Sequence, residues 1–314
     1  MNKNISLTRR FSKKITMIKN INYDRKKVYE FIVNFLIYFL LIDFAFVFIF
    51  PFIYIFTNAL KSPYDLADIS TKWIVRSPVL NNFREAIARL DYWNCLKNTV
   101  IVTILSALGQ VLSCSFIAYG LARYKLKLNS VVFGIIIMSI IVPPELLVIP
   151  LYIQYAKMRW LDTFLPIIVP CFFGMGLKGG LFIFIFRQFF KGLPRELDEA
   201  ARVDGYNGFS IFFRIILPLS KPSILVTTIL SIVWHWNDVF EPSVFLSTPE
   251  KSLLAMTLTN IMQNRAYLYI TPGGEVISPL AMAGSLLIIL PLLLIYFIVQ
   301  KQFMAGIERT GLAN

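Results

Sequence analysis

Residues 199–222 begin Glu199-Ala200-Ala201-Arg202-Val203-Asp204-Gly205, pass through a segment rich in Phe, and close with Ile215-Ile216-Leu217-Pro218-Leu219-Ser220-Lys221-Pro222. They belong to a charged island, residues 187–222, set between long apolar runs. Pro194 suits the first position of a helix, where its missing N–H costs nothing. Glu196, Asp198 and Glu199 follow in the first turns, where the helix dipole favours negative charge. Arg195/Glu199 and Asp198/Arg202 stand four apart and are expected to pair on the surface. Gly205 is placed to end the helix in the left-handed conformation, and Asn207 to cap a second short helix over 208–216 that Leu217-Pro218 stops. The expected product is helix, turn, helix, with Leu193, Leu197, Ala200 and Ala201 on one stripe. Adjacent alanines let another backbone approach closely, and Phe209, Phe212 and Phe213 are too apolar to face water alone. The module therefore points to a partner.

Outside the island the chain reads as a membrane protein. Of its 314 residues 57% are hydrophobic and only 16% charged, too little charge for a soluble domain of this length. Apolar stretches near 33–57, 97–122, 131–156, 164–186, 223–241 and 277–300 each approach or exceed the roughly 20 residues that cross about 30 Å of hydrocarbon. Six transmembrane helices in an all-α polytopic fold are expected. The first follows a 30-residue basic tail and lacks a small-residue cleavage site, so it does not read as a cleaved signal peptide.

With the N-terminus inside, the segments 1–30, 123–128, 187–222 and 301–314 hold 20 of the 31 basic residues. The opposite loops, 58–98, 157–163 and 242–276, hold 10 over a nearly equal length. This excess places the island and both termini in the cytoplasm. The +13 net charge is then mainly a topology signal, and the basic residues flank spans rather than forming a nucleic-acid face. The basic tail 1–30, expected to be partly helical at the membrane surface, suits a loose attraction to anionic lipid. The expected organisation is a tail (1–30), a six-helix domain (31–300) containing the loop 191–222, and a C-terminal tail (301–314). Asn81-Asn82-Phe83-Arg84-Glu85-Ala86 reads as the start of a short surface helix, and Thr271-Pro272-Gly273-Gly274 as a turn.

The order Glu-Ala-Ala, three residues, Gly, nine residues, Ile, one residue, Leu-Pro closely resembles the EAA loop of bacterial ATP-binding-cassette importer permeases. The run Phe186–Leu197 is similar to the carbohydrate branch of that family, as are Ile149-Pro150-Leu151-Tyr152, Trp236-Asn237-Asp238 and the tail Gly306–Leu312. The resemblance covers essentially everything after residue 33. The long basic N-terminal tail departs from the shorter one usual in the family. The resemblance implies a type I importer fold in the bacterial plasma (inner) membrane. Its loop would form a coupling helix docked on a cytoplasmic ATPase, with Glu199, Ala200, Ala201, Asp204, Gly205, Leu217 and Pro218 as the coupling residues. It further implies a second, homologous permease subunit, an ATPase dimer and an extracellular sugar-binding protein as partners. No enzymatic activity or cofactor is expected on this chain. The alternative from another class is a stand-alone ion-coupled transporter or channel.

Other motifs carry less. Gly174-Met175-Gly176-Leu177-Lys178-Gly179 spells a dinucleotide fingerprint, but it falls inside an apolar run. There Gly176 and Gly180 read as allowing close helix packing. No G-x-x-x-x-G-K-[ST] phosphate cradle occurs, so an energy source would be another polypeptide. A single histidine, His235, and three unclustered cysteines support neither a metal site nor a disulfide framework. An intramembrane Ser–His hydrolase lacks a nucleophile motif. Polar groups within spans are costly and so informative: Asp43, Glu145, Lys178, and the cluster Trp234 to Glu241. Glu145, Trp236, Asn237 and Asp238 are the candidates for lining a sugar pathway. The other use open to that cluster is an interfacial Trp belt with helix–helix hydrogen bonds, which Trp234 fits.

Overall fold

In the computed structural model the described residues are 3–71, 73–124 and 127–311, with backbone alone for 3–26, 28, 69 and 302–311. The helices run α1 Lys3–Ala59, α2 Pro63–Ala67, α3 Asn81–Arg89, α4 Tyr92–Arg123, α5 Asn129–Ile141, α6 Val148–Lys157, α7 Leu165–Ile168 and α8 Gly179–Gly192. They continue as α9 Glu196–Val203, α10 Gly208–Ile211, α11 Leu217–Leu219, α12 Lys221–Asn237, α13 Phe240–Phe245, α14 Leu254–Gln263 and α15 Pro279–Gly311. Among the described residues the fold is all-α apart from a hairpin of two-residue strands, Tyr269–Ile270 paired with Val276–Ile277. The turn expected at 271–274 closes that hairpin, with Gly274 at φ +78°, and the expected surface helix is α3.

The chain forms two units, Met1–Thr57 and Asn58–Asn314. The first is the long helix α1, in which the basic segment runs on into the apolar one without a break. Its stretch from Tyr29 is apolar on all faces and unburied, the surface that hydrocarbon rather than water accepts. Among the described residues, three helices are long and apolar enough to cross a membrane: Tyr29–Ala59, Tyr92–Arg123 and Pro279–Lys301. Gly208–Leu219 with Lys221–Asn237, bent by 80°, makes a fourth if the pair is one span. The runs at 131–156 and 164–186 are instead split into short helices.

In the second unit α4 is the central strut, packed against α8, α12 and the 3-10 turn Val169–Phe173. Its buried face carries small and polar residues, among them Thr103, Ser106, Gln110, Cys114, Ser115 and Ala118, which let neighbours approach and supply hydrogen bonds. The facing side of α12 is built the same way, from buried Ser223, Thr227, Ser231 and His235 at four-residue intervals. At their crossing the Gln110 amide accepts from Ser231 Oγ (2.6 Å) and lies 3.2 Å from His235 Nε2. Its Nε2 donates to the Leu177 carbonyl at 2.6 Å.

That last bond reaches into a break in the chain. Gly174, Gly176 and Lys178 all have positive φ (71°, 87° and 62°), so the glycine-rich segment is a tight loop rather than helix. Gly176 therefore serves the turn and not helix packing, a correction to the expectation above. Gly180 does serve packing, since a Cβ there would lie 2.8 Å from Ser139 Oγ and 2.9 Å from the Ile136 carbonyl. Ser113 Oγ donates to the Cys171 carbonyl (2.6 Å) and accepts from Gly174 N–H (3.0 Å), so α4 satisfies this loop twice. Irregular backbone at membrane depth is tolerated only where protein meets its polar groups in this way.

Away from the island, residues 157–163 are tied to 246–251 by one side chain. Asp162 accepts from the backbone N–H groups of Ser247 (3.0 Å) and Thr248 (2.9 Å), from the Thr248 hydroxyl, and from Lys251 Nζ at 2.8 Å. These donors hold its carboxyl well below the usual carboxylate range, the Lys251 contact first among them. A depressed carboxylate contributes its stability above the unfolded value and loses it as pH falls through the lower folded value. The latch should therefore persist to below pH 3.8, the ordinary value for aspartate. Asp162→Asn should speed amide hydrogen exchange in 157–163 and 246–251 at pH 7 and leave α9 unaffected.

Candidate functional site

The island module is built on the end of α4 that carries Tyr119 and Arg123. After α8, Leu193 is extended, and Pro194 lies just outside the next helix rather than in its first turn. α9 then carries Glu196, Asp198 and Glu199 in its first turn, as the dipole favours. Asp198, however, does not pair with Arg202 along the helix. It turns inward, with Oδ2 3.3 Å from Arg123 Nε and Oδ1 accepting from Tyr119 Oη at 3.3 Å. The Arg123 and Asp198 side chains are only 4% and 9% exposed. This is an ion pair by distance, without the alignment of a hydrogen bond. Arg202 instead lies over the Tyr124 ring at 5.7 Å, and no ion pair joins Arg195 to Glu199 among the described residues.

The turn matches its sequence signals. Gly205 has φ +83°, with Gly205 N–H on the Arg202 carbonyl (3.0 Å) and Tyr206 N–H on the Ala201 carbonyl (2.9 Å). This pair of bonds is a Schellman motif, which needs a left-handed residue at that point. Asn207 caps the next helix through Ser210 N–H at 2.8 Å. The second helix does not stop at Leu217-Pro218. It widens into a π turn over Phe212–Ile216 and continues as α11, and the chain bends at buried Ser220. Pro218 has no N–H to donate, and the wide turn accommodates it.

Burial then sorts the expected coupling residues. Ala201 is 4% exposed and packs in a core with Ala118, Phe186, Phe190, Ile211 and Phe212, so its small size serves α9's approach to its own bundle. Glu199, Ala200, Asp204 and Gly205 are exposed, and Val203 between them is 88% exposed. Ala200 and Ala201 therefore do not share one stripe as expected; about 100° apart on the helix, one is exposed and the other buried. Leu217 is half-buried and Pro218 exposed, while Phe209 and Phe213 remain open beside the module and Phe212 is buried.

The residues expected to line a pathway do not converge. Trp236 is 2% exposed, donates to the Ile288 carbonyl at 3.2 Å, and packs with Leu254, Leu280 and Ala283. It is a core residue, and its indole is satisfied by α15. Asn237 is exposed and donates back to the Val233 carbonyl at 2.7 Å. Asp238 ends α12 and accepts from Phe240 N–H at 3.0 Å. Glu145 is exposed in a 3-10 turn, Pro144–Leu146, on a different element from the other three. The residue sequence reasoning passed over is Gln110, whose signal was a long polar side chain within an apolar run, facing a four-residue Ser/Thr/His repeat.

Comparison with known proteins agrees with this architecture. Residues 112–309 match the family described as binding-protein-dependent transport system inner membrane component. A probable ABC transporter permease of Pyrococcus horikoshii is 34% identical over 212 residues, covering 67% of this chain and 72% of that protein. The melibiose/raffinose/stachyose import permease protein MelC of Bacillus subtilis is 32% identical over 255 residues, 80% of this chain and 87% of its own. Among solved structures, a chain of a bacterial ABC transporter that imports the acidic polysaccharide alginate superposes with TM-score 0.70 at 23% identity, over 87% of this chain and 96% of that one. The matched region takes in the helix breaks, the α9 module and the bend at Ser220 together, and the chain belongs to the family of inner membrane components of binding-protein-dependent transport systems.

Proposed function

We propose that this protein is a permease subunit of an ATP-driven importer of sugars or oligosaccharides. It would work beside a second, homologous permease, a cytoplasmic ATPase dimer and an extracellular sugar-binding protein. α9 would be the coupling helix, seated in the ATPase, with both chain termini on the same cytoplasmic side. ATP hydrolysis would take place on that separate subunit. The carbohydrate relative MelC supports the cargo class.

One observation carries the coupling role: α9 is anchored on one side and open on the other. Asp198 and Ala201 fasten it to α4 and α8, and Glu199, Ala200, Val203, Asp204 and the Gly205 turn are left outward. The outward face offers a small residue for close approach, an exposed valine, and two carboxylates for basic groups on a partner. Rocking of two such bundles between inward- and outward-open states would then follow the motion of the docked helices.

Two substitutions separate the two sides of α9. Ala200→Arg should insert and fold as the parent does, yet lose co-purification of the ATPase; retention of the ATPase would remove α9 from the interface. Asp198→Ala should leave Arg123 buried without its partner, at a cost of about 3 kcal/mol, the low end for breaking a buried pair. Its readout is faster hydrogen exchange over 196–206 in the isolated permease, a change that Ala200→Arg should not produce.

A further inference from the structure

The geometry points to a ligand subsite between the two helix breaks, built for a neutral, polyhydroxylated molecule and centred on Glu241. This inference rests on the importer function proposed above and names where in this chain the cargo would be held. A cavity of about 370 Å³ lies there, within the roughly 300–1,000 Å³ usual for small-molecule sites. None of the pathway residues expected from sequence lines it.

Three walls meet at the cavity. The first is the end of α5 and the segment that follows. The carbonyls of Ser139 and Ile140 would receive helical N–H donors from positions 143 and 144, but both are prolines and have none. Val142 and Pro143 are extended instead, and the chain resumes helix only at α6. The second wall is the loop 174–178, held from behind by Gln110 and Ser113 of α4. The third is α13, with Phe240, Glu241 and Phe245. Discontinuous helices that leave backbone polar groups beside a cavity are how membrane proteins build binding sites at depth.

The charges select the ligand. Glu241 and Lys178 are the charged residues of the lining, and neither side chain has a hydrogen-bond or ion-pair partner among the described residues. An anion would be repelled by Glu241 and its neighbour Asp238, and a cation by the ammonium of Lys178. A molecule rich in hydroxyls can donate to Glu241 and to the free carbonyls, and accept from Lys178, at the same time. Tyr155, Phe240 and Phe245 add the aromatic surfaces on which sugar C–H faces rest.

The test uses the assembled transporter in proteoliposomes with its ATPase, second permease and binding protein. Uptake of labelled melibiose, raffinose and stachyose is measured per ATP hydrolysed. Glu241→Ala removes the acceptor, and Leu151→Trp fills the cavity from α6; each should lower uptake per ATP by about tenfold. Glu241→Gln keeps an acceptor oxygen and should stay within about threefold of the parent. Wild-type coupling in both Glu241→Ala and Leu151→Trp would overturn the subsite. Loss in Glu241→Gln equal to that in Glu241→Ala would overturn the neutral ligand in favour of a cation. If the parent carries neither these three nor any other sugar in a panel of mono- and oligosaccharides, the cargo proposed above fails first and this site fails with it.

Discussion

The Gln110 side chain meets three polar groups on two elements at once, and the rest of the bundle is arranged around it. Its amide N–H holds the Leu177 carbonyl, and its oxygen faces Ser231 and His235. In a hydrocarbon setting an unmet backbone carbonyl costs several kcal/mol, so a loop such as 174–178 can exist only against a neighbour that supplies donors. The loop in turn sets the start of α8. The direction of α8 sets where Phe182, Phe186 and Phe190 meet α4, and that contact forms the floor on which α9 lies.

α4 carries these connections as one uninterrupted helix of 32 residues. At one end Arg123 and Tyr119 hold α9, and in the middle Gln110 and Ser113 hold the helix break. At the other end Asn94 and Asn98 both donate to the Glu250 carbonyl at 2.9 Å, and Thr99 Oγ1 accepts from Leu254 N–H at 3.0 Å. A displacement of α9 is therefore borne by a rod that also touches the break beside the cavity and the loops at the far end. This contiguity gives the alternating-access motion proposed for the family fold a physical route through this subunit.

Much of this was legible along the chain, and the exceptions share one cause. Long apolar runs announce helices because a helix meets all its backbone hydrogen bonds within one segment, as lipid requires. Gly205, Asn207 and the turn at 271–274 carry their signals locally, in residues whose conformational freedom or side-chain oxygen suits one geometry. Asp198 read as a surface ion-pair partner because its nearest charge in sequence is Arg202. The partner it takes is Arg123, 75 positions away in sequence and not visible to any helical spacing. Pro218 read as a stop because proline usually is one, but a π turn before it absorbs the missing donor. Trp236 read as a pathway residue because it lies among polar neighbours, and packing turned it to α15.

Sequence is enough for the membrane class, the helix–turn–helix of the island and the family resemblance, because hydropathy, capping and motif order act over neighbouring residues. The two sides of α9, the division of labour between Ala200 and Ala201, and the cavity at the paired breaks belong to the folded chain alone. They depend on which of several equally apolar helices lies against which. That choice is made by close packing and by meeting a few buried polar groups, above all the amide of Gln110.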